Sequence, residues 1–291
     1  MKKFAIIVTY EPLITRLLQL IFMVLKQDFY VVVVDNSEKN PLQDILKNDK
    51  FFLISLKENK GIAYAQNIGV DFCESKGANV ISFLDQDSII FENTLFLLAE
   101  TIINDCISVA CPISIDEITG YEYPSHKINK YGITRNVFSK ESNTLAEVDI
   151  AISSGMTMSI QTFKLIGDYD EDFFIDFVDI EWCLRARKNL VKIYIVPDSV
   201  ILHRIGEKSF HIGFLNINQH SPMRTYYKIR NSFILLNKKY NIIFCLRQIM
   251  SAIIHNLILI VVSKEMKKEY FKFYIKGLYD GILGKIGKLN L

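Results

Sequence analysis

Short runs of apolar, often β-branched residues alternate with amphipathic stretches through the first 112 residues of the chain. The continuous apolar runs predict buried strands, and the stretches with apolar residues at helical spacing predict helices. Strands separated by helices are typical of a largely parallel sheet that is covered on both faces, which predicts an α/β fold. The predicted strands are 4–9, 30–35, 51–56, 79–85 and 107–112, and the predicted helices are 13–27, one from about Pro41, 61–75 and 93–105.

The pattern changes after residue 113. Segment 114–147 is polar and rich in turn-forming residues, which predicts loops and short antiparallel strands. Compact structure returns over 148–205, with strands at 148–153 and 192–197 and a helix at 160–167, and the chain reads as helical from residue 224. We therefore predict one domain over 1–223, with halves 1–112 and 113–223, followed by a C-terminal helical region over 224–291.

Composition narrows the class of protein. Half of the 291 residues are hydrophobic, which is enough for a sizeable core, and a net charge of +2 provides no general field for nucleic acid. The five cysteines form no CxxC pair, so free thiols in a reducing compartment are expected. The apolar run in "MKKFAIIVTY" is shorter than a signal peptide requires and fits a first strand, so we expect a cytoplasmic location.

Polar side chains follow several of the predicted strands. Tyr10, Asp35 and Asp85 each lie at the carboxyl end of a strand, where parallel sheets bind their ligands. In "FLDQDS", Asp85 and Asp87 stand two residues apart, and their mutual repulsion is relieved if a divalent cation binds both. Helix capping by Asp87 or Ser88 is the alternative, but it accounts for one acid and not for two.

A second acidic stretch, residues 168–181, is interleaved with aromatic residues. A carboxylate held beside aromatic rings acquires the raised pKa of a general base, although helix-face ion pairs also explain acids such as Glu181. His203 follows an apolar strand and is either structural or a metal ligand, and Arg204 and Lys208 beyond it are candidates for contacts with phosphate.

The pieces together resemble a known family. In chain order they are "IIVTY", "VVVVDNS", "ENKGIAYAQNIG", "FLDQDS", "SSGMTMS", "GDYDEDFFIDFVDIEWCLRARKN", "VPDSVILHRIGE" and "RTYYKIRNSFILL", and they cover residues 4 to about 236. The chain resembles the inverting nucleotide-sugar glycosyltransferases of family two, which have the GT-A fold. Within that family it is most similar to bacterial rhamnosyltransferases that build capsule, O-antigen or other cell-wall polysaccharide.

The resemblance implies a role for each matching residue. It implies that residues 1–112 form the nucleotide-binding half, that residues 113–223 form the acceptor half, and that Asp179 is the catalytic base. Many relatives carry Glu-Asp at this point, whereas this chain has Val178 before Asp179. The implied donor-binding residues are Thr9, Tyr10, Asp35, Asn59, Gly61, Asn67, Asp85 and Gln86; the metal ligands are Asp85, Asp87 and His203; the acceptor-pocket residues are Ser154, Gly155, Glu181 and Trp182.

The same resemblance implies the ligands. These are Mg²⁺ or Mn²⁺, a nucleotide-diphosphate sugar, and a glycan or lipid-linked acceptor. L-rhamnose from dTDP-rhamnose is the expected donor, with galactofuranose, galactose, glucose and N-acetylglucosamine as alternatives. Two other classes compete: a phosphotransferase with an aspartate nucleophile, and a non-catalytic, membrane-associated partner subunit that retains the fold.

The end of the chain suggests contact with a membrane. Segment 241–262 is long and apolar but is interrupted by Arg247, Ser251 and His255, a stripe on one helix face that disfavours a membrane span. From residue 264 onward, seven lysines against three acids alternate with aromatic and aliphatic residues. This composition is typical of a helix on an anionic lipid surface, and a helical cap packed on the domain is the alternative.

Overall fold

A computed structural model describes residues 1–39, 42–43, 45–104, 108–203, 208–212, 215–263 and 266–289. It contains thirteen strands within these ranges. They are β1 Lys3–Thr9, β2 Tyr30–Asp35, β3 Phe51–Ser55, β4 Val80–Asp85, β5 Ile89–Ile90, β6 Val109–Asp116, β7 Ser125–Ile128, β8 Thr134–Val137, β9 Ala146–Val148, β10 Thr157–Ser159, β11 Ile193–His203, β12 Lys208–Ile212 and β13 Leu215–Gln219.

The central sheet has nine strands in the order β3-β2-β1-β4-β10-β6-β11-β5, with β9 also paired to β11. Strands β1 to β4 are parallel, and β6 and β11 run in the same direction beyond them. Strands β5, β9 and β10 are antiparallel to their neighbours. The predicted α/β class with a mostly parallel sheet is confirmed.

Helices cover both faces of this sheet. Helices α1 and α3 pack over one core, while α2, α4 and α5 pack over the other. The apolar strands are therefore buried on both sides, as their composition predicts. The helices are α1 Ile14–Lys26, α2 Ile62–Ser75, α3 Thr94–Asn104, α4 Ile160–Ile166, α5 Val178–Lys188, α6 Pro222–Asn237, α7 Ile242–Val262 and α8 Lys267–Ile282.

Some elements differ from the prediction. The sequence pattern missed β10, the three-residue strand that joins β4 to β6, because so short a run carries no periodicity. It also missed the β12–β13 hairpin, and it divided β11 into a strand at 192–197 and a separate apolar strand before His203, whereas one strand spans Ile193–His203. The predicted helix start at Pro41 lies outside the described residues. Four cysteines are buried free thiols, as expected: Cys73, Cys111, Cys183 and Cys245.

The C-terminal helices pack closely on one another and on the sheet domain. Two glycines of α8 allow its backbone to approach α6. A Cβ at Gly277 would lie 3.0 Å from the carbonyl oxygen of Tyr226, and one at Gly281 would lie 2.8 Å from Cδ2 of Phe233. This region begins close to the predicted boundary at residue 224, and it contributes Ile234, Leu235, Phe244 and Cys245 to the larger core of the domain.

The segment just before α5 has unusual backbone geometry. Phe174, Asp176 and Phe177 all have positive φ, at 62°, 62° and 66°. Each such non-glycine conformation costs on the order of 1–3 kcal/mol unless the surrounding structure enforces it. The segment 172–177 therefore depends on contacts from elsewhere in the fold.

Those contacts come from α6. The side-chain amide of Asn231 donates to the carbonyl oxygens of Phe173, Ile175 and Asp176 at 2.9, 2.7 and 2.9 Å. The Asn231 oxygen accepts two hydrogen bonds from the buried guanidinium of Arg230, which also donates to the carbonyls of residues 172 and 173. We call residues 230 and 231 the α6 clamp.

We expect Asn231→Ala to destabilise the protein, because the carbonyl groups of Ile175 and Asp176 lose their side-chain donor, while the Phe173 carbonyl keeps its bond from Arg230. Leaving one such group unsatisfied costs about 1–3 kcal/mol, so the thermal midpoint should fall by several degrees. Asn189→Ala, at an exposed position after α5, is the matched control and should leave the midpoint unchanged. Equal midpoints for the wild type and Asn231→Ala in thermal denaturation would contradict this role.

Candidate active site

The carboxyl edge of the sheet brings together most of the predicted site residues. Strands β1 and β4 are neighbours, with Val8 in register with Asp85, so Thr9 and Asp85 end side by side. Strand β11 ends at the same edge with His203. Two adjoining cavities open here, and we call them the donor cavity and the catalytic cavity.

The donor cavity has a volume of about 600 Å³. Six of the predicted donor residues line it: Thr9, Tyr10, Asn59, Gly61, Asp85 and Gln86. Its other walls are mostly apolar and come partly from the C-terminal helices, with Phe174, Ile175, Met223, Tyr227 and Phe273 among them. The sequence analysis missed this second wall, because it lies more than 80 residues from the quoted nucleotide motifs.

Gln86 joins two parts of the donor cavity. Its amide oxygen accepts from the backbone nitrogen of Tyr10 at 2.7 Å, and its nitrogen donates to the Tyr10 carbonyl at 3.2 Å. The residue between the two acids therefore links the end of β4 to the end of β1. Gly61 has φ of +91°, and a Cβ there would lie 2.6 Å from the Phe174 carbonyl oxygen, so glycine is required at this contact.

The catalytic cavity has a volume of about 470 Å³ and is rich in charged groups. Asp85, Asp87, His203 and Asp179 all line it, so the predicted metal ligands and the predicted base share one space. The two cavities have five residues in common, which border the junction between them: Ile62, Asp85, Gln86, Ile175 and Arg224.

His203 lies between the two acids of the "DQD" motif. Its Nε2 is 3.6 Å from Oδ2 of Asp85, and its Nδ1 is 3.9 Å from Oδ1 of Asp87. Nδ1 is buried and has no hydrogen-bond partner in the described structure. Burial raises the pKa of Asp85, which nearby His203 lowers and Asp87 raises further.

These three side chains fit a divalent cation in an open site. Ligand atoms that share one Mg²⁺ at about 2.1 Å lie roughly 3–4 Å apart. The distance of 3.9 Å between the unpartnered Nδ1 of His203 and Oδ1 of Asp87 falls in this range. Among the described residues, no three acidic, histidine or cysteine side chains converge tightly enough to enclose an ion by themselves. Such a half-formed shell is typical of magnesium sites that are completed by phosphate oxygens.

Asp179 lies in the first turn of α5, directly after the segment that the α6 clamp holds. Burial raises the pKa of its carboxyl to about 6, against a hydrogen bond from the Ile180 backbone nitrogen at 2.9 Å. The nearby Asp85 and Asp176 carboxylates raise it as well. A carboxylate with this pKa is largely ionised at neutral pH and is more basic than an exposed aspartate, so it suits a general base.

Ser154 and Gly155 support the end of β4 from behind. The Ser154 hydroxyl lies 3.3 Å from the backbone nitrogen of Asp85 and 2.7 Å from the Ser88 hydroxyl. The Gly155 nitrogen donates to the Phe83 carbonyl at 2.6 Å. They were expected in the acceptor pocket, but the cavity is lined instead by their neighbours, residues 152 and 153.

Two predicted donor residues have structural contacts instead. Asp35 is fully buried and accepts hydrogen bonds from the Thr9 and Ser37 hydroxyls and from two backbone nitrogens, so it shapes the loop after β2. The amide of Asn67 joins α2 to the backbone of Tyr169. Neither residue lines the donor cavity. Asp35 ends a strand but turns inward, and Asn67 lies on the face of α2 that contacts the segment around Tyr169.

Two predicted acceptor residues also lie in the core. Trp182 is fully buried, packs against Phe163 and donates its indole nitrogen to the Gly167 carbonyl at 3.0 Å. Glu181 is 2% exposed; both of its carboxylate oxygens accept from Nε of Arg185, and one also accepts from the Tyr240 hydroxyl. These contacts make Glu181 and Trp182 part of the support of α5, and neither lines the catalytic cavity.

The sequence analysis assigned no role to three polar residues in and just before α6. His220, two residues before the helix, and Arg224 and Lys228 within it line the catalytic cavity, and Arg224 borders the donor cavity as well. Arg224 and Lys228 belong to the quoted piece "RTYYKIRNSFILL", but the resemblance implied no function for them. Arg204, expected near phosphate, lies outside the described residues.

Comparison with known proteins identifies the family. Residues 4–161 match the model of Glycosyl transferase family 2, more than half of the chain. The dTDP-rhamnosyl transferase RfbF of Shigella flexneri is 40% identical over 286 residues, which cover 98% of this chain and 96% of that protein.

Solved structures support the same fold. Residues 1–349 of S. aureus TarS, in complex with UDP-GlcNAc, align over 96% of this chain and 82% of that one, with 18% identity and a TM-score of 0.56. GalNAc-T7, solved with UDP, GalNAc and Mn²⁺, aligns over 86% of this chain but only 55% of its own, with 14% identity and a TM-score of 0.58. With the predicted GT-A fold thus confirmed, the chain belongs to glycosyl transferase family 2 and is a glycosyltransferase.

Proposed function

We propose that this glycosyltransferase moves L-rhamnose from dTDP-rhamnose to a hydroxyl group of a glycan or lipid-linked acceptor, with inversion at the anomeric carbon. The observation that carries the proposal is the 40% identity to a dTDP-rhamnosyl transferase along nearly the full length of both chains. The aligned part of the chain includes the residues that line both cavities.

The two cavities accommodate the two ends of such a donor. The nucleoside occupies the donor cavity, beside Thr9, Tyr10 and Asn59, and the sugar reaches the catalytic cavity, beside Asp179. The mostly apolar wall of the donor cavity, with Ile175 and Met223, favours a methyl-bearing base such as thymine. Galactofuranose, galactose, glucose and N-acetylglucosamine stay the alternative sugars.

Asp179 acts as the base. Its carboxylate accepts the proton of the acceptor hydroxyl as that oxygen attacks the anomeric carbon. The bond from that carbon to the diphosphate breaks, and its electron pair leaves with the nucleoside diphosphate. Because attack and departure occur on opposite faces of the sugar, a single displacement inverts the configuration, as in inverting glycosidases.

Asp85, Asp87 and His203 would hold a divalent cation, either Mg²⁺ or Mn²⁺. The orphaned Nδ1 atom of His203 and the two flanking carboxylates support this assignment. When bound, such an ion neutralises charge on the diphosphate of a nucleotide sugar. A protein of the same fold was solved with UDP and Mn²⁺, which also favours the assignment.

The competing classes have less support. Membership of glycosyl transferase family 2 argues against a phosphotransferase with an aspartate nucleophile. A non-catalytic partner subunit has no physical need for Asp85, Asp87, Asp179 and His203 around one cavity, because clustered carboxylates repel one another and carry a desolvation cost.

The exposed face of α7 supports contact with a membrane surface. This helix is long and apolar enough to cross a membrane, and 28% of its most apolar window is buried in the fold. Its buried residues pack on the domain, whereas an outward stripe is exposed: Ile242, Ile243, Leu246, Met250, Ile254, Leu257 and Val261. With exposed lysines on α8, this surface favours peripheral binding to the inner face of the cell membrane.

We expect the purified enzyme to release dTDP from dTDP-rhamnose in the presence of a lipid-linked acceptor and Mg²⁺ or Mn²⁺. Excess chelator should abolish the release, because charge on the leaving diphosphate is then not neutralised. The measurement is nucleoside diphosphate release across a panel of dTDP- and UDP-sugars. Faster release from any UDP-sugar would reject the rhamnose assignment, and full turnover in chelator would reject the metal assignment.

We expect Asp179→Asn to lower kcat by about 10²–10⁴-fold, the usual worth of a general base. In the wild type, kcat/KM should fall as the pH drops through about 6, because the carboxylate is then protonated. The variant should lose this acid limb and keep wild-type affinity for dTDP in calorimetry. An Asp179→Asn enzyme with wild-type turnover would contradict the assignment and move the role to Asp176.

We expect the double variant Leu246→Glu, Ile254→Glu to lose binding to anionic vesicles, because two charges interrupt the exposed stripe on α7. Wild-type binding should weaken between low and high salt, since the lysine contribution is screened. Leu165→Glu, at a position that is 66% exposed on α4, is the matched control and should pellet with the vesicles like the wild type. Negligible pelleting of the wild type would leave only a packed helical cap.

A further inference from the structure

Helix α6 contributes two cations to the active site. Arg224 and Lys228 are four residues apart, so they lie on the same face of the helix. Arg224 borders both cavities, and Lys228 lines the catalytic cavity. Neither residue belongs to the nucleotide, metal or base motifs that the sequence analysis identified.

Arg224 is held in place by one ion pair, but not all of its nitrogen atoms take part in that contact. Its Nε donates to the carboxylate of Asp176, at 3.1 Å from one oxygen and 3.4 Å from the other. Asp176 belongs to the segment that the α6 clamp holds, so the guanidinium has a rigid counter-ion. Its two terminal nitrogens donate to no residue in the described part of the chain, which leaves the paired donors that suit phosphate oxygens.

Lys228 has no counter-ion of its own. Its half-buried ammonium group makes no hydrogen bond and no ion pair with any residue that the structure describes. Burial lowers its pKa, Asp176 raises it, and Arg224 lowers it again. A desolvated ammonium group without a partner is costly, which is the expected state of a residue whose partner is a ligand.

The other titratable groups of the cavity leave these two cations available to an anion. Burial and the Arg224 charge lower the pKa of His220 to about 3, so its imidazole is neutral at physiological pH and does not attract an anion by its charge. The acids of the same cavity have other contacts or roles. Asp176 pairs with Arg224, and Asp85 and Asp87 flank His203.

The position of the two cations identifies the anion. A nucleotide sugar that spans both cavities has its diphosphate at the junction, because this group links the nucleoside to the sugar. Arg224 borders that junction, and Lys228 lies one helical turn further along, beside the reaction centre. The diphosphate gains negative charge as the sugar departs, so fixed cations there bind the leaving group more tightly than the intact donor.

We propose that Arg224 and Lys228 bind the diphosphate of the nucleotide donor and stabilise the departing nucleoside diphosphate. The proposal rests on the proposed function in one respect only, that a nucleotide-diphosphate sugar is the donor. It does not depend on which base or which sugar that donor carries. The C-terminal region thereby becomes part of the donor site.

The test is calorimetric titration of Lys228→Met and Arg224→Gln with dTDP and with thymidine. We expect the affinity for dTDP to fall about tenfold or more in each variant, the usual effect of losing a hydrogen bond to a charged group, while thymidine binds as to the wild type. Lys228→Arg should retain most of the dTDP affinity. Lys188→Met, which removes an exposed lysine on α5, is the matched control.

Thermal stability separates ligand binding from a structural role. Without ligand, Lys228→Met should melt at or above the wild-type temperature, because it removes an unpaired, desolvated charge. With saturating dTDP, its stabilisation should be smaller than that of the wild type. A clear loss of stability without ligand, together with unchanged dTDP affinity, would overturn the proposal and make Lys228 a structural counter-ion.

Two further outcomes are informative. An unchanged dTDP affinity with a raised KM for the acceptor would overturn the proposal and assign the cations to an acceptor phosphate. Binding of UDP, but not of dTDP, to the wild type would reject the dTDP donor instead. In that case the same variants are titrated with UDP and uridine, and a selective loss of UDP affinity would still support the diphosphate assignment.

Discussion

The α6 clamp is the constraint on which the active site depends. One asparagine side chain, Asn231, satisfies three backbone carbonyls of a segment that contains three strained residues. Because that segment leads directly into α5, the clamp sets the position of Asp179 and also of Asp176, the carboxylate that orients Arg224. Without it, the strained backbone keeps only local bonds such as that from the Ile175 nitrogen to the Phe173 carbonyl, together with the bond from Ile62 to the Phe174 carbonyl, and the Ile175 and Asp176 carbonyls lose their donor.

The clamp is possible because the cation behind it is buried between aromatic rings. The Arg230 guanidinium lies 4.8 Å from the ring centroid of Tyr227 and 5.7 Å from that of Tyr226. Its nitrogens bond to backbone carbonyls and to Asn231, and to no carboxylate among the residues that the structure describes. Cation–π attraction and carbonyl dipoles therefore offset its desolvation, and the Tyr226 hydroxyl extends the network to Asp280 on α8.

The three C-terminal helices consequently form part of the proposed active site. They support Asp179, the proposed base, complete the apolar wall of the donor cavity with Tyr227 and Phe273, and contribute the Arg224 and Lys228 cations. The sheet edge supplies the other half of the site, where Asp85, Asp87 and His203 meet. Because both parts form the active site, a change in the packing of α6 alters the positions of charged groups beside the strand ends. A change at the strand ends likewise alters the surroundings of the α6 side chains.

The sequence by itself determined the sheet, its order of strands and helices up to residue 112, and the acids at its carboxyl edge. These follow from local periodicity and from the rule that parallel strands end on one side, which places Asp85 and Asp87 at that edge. The roles of Asp179 and His203 came instead from the resemblance of the motifs around them to a known family. Only the tertiary structure decided which polar residues turn inward. Asp35, Glu181 and Trp182 matched functional positions in sequence but satisfy buried partners, while Arg224 and Lys228 became site residues only when a distant helix packed against the sheet. Side-chain direction and long-range packing leave no period in a sequence, since they depend on contacts between segments that the chain order keeps far apart.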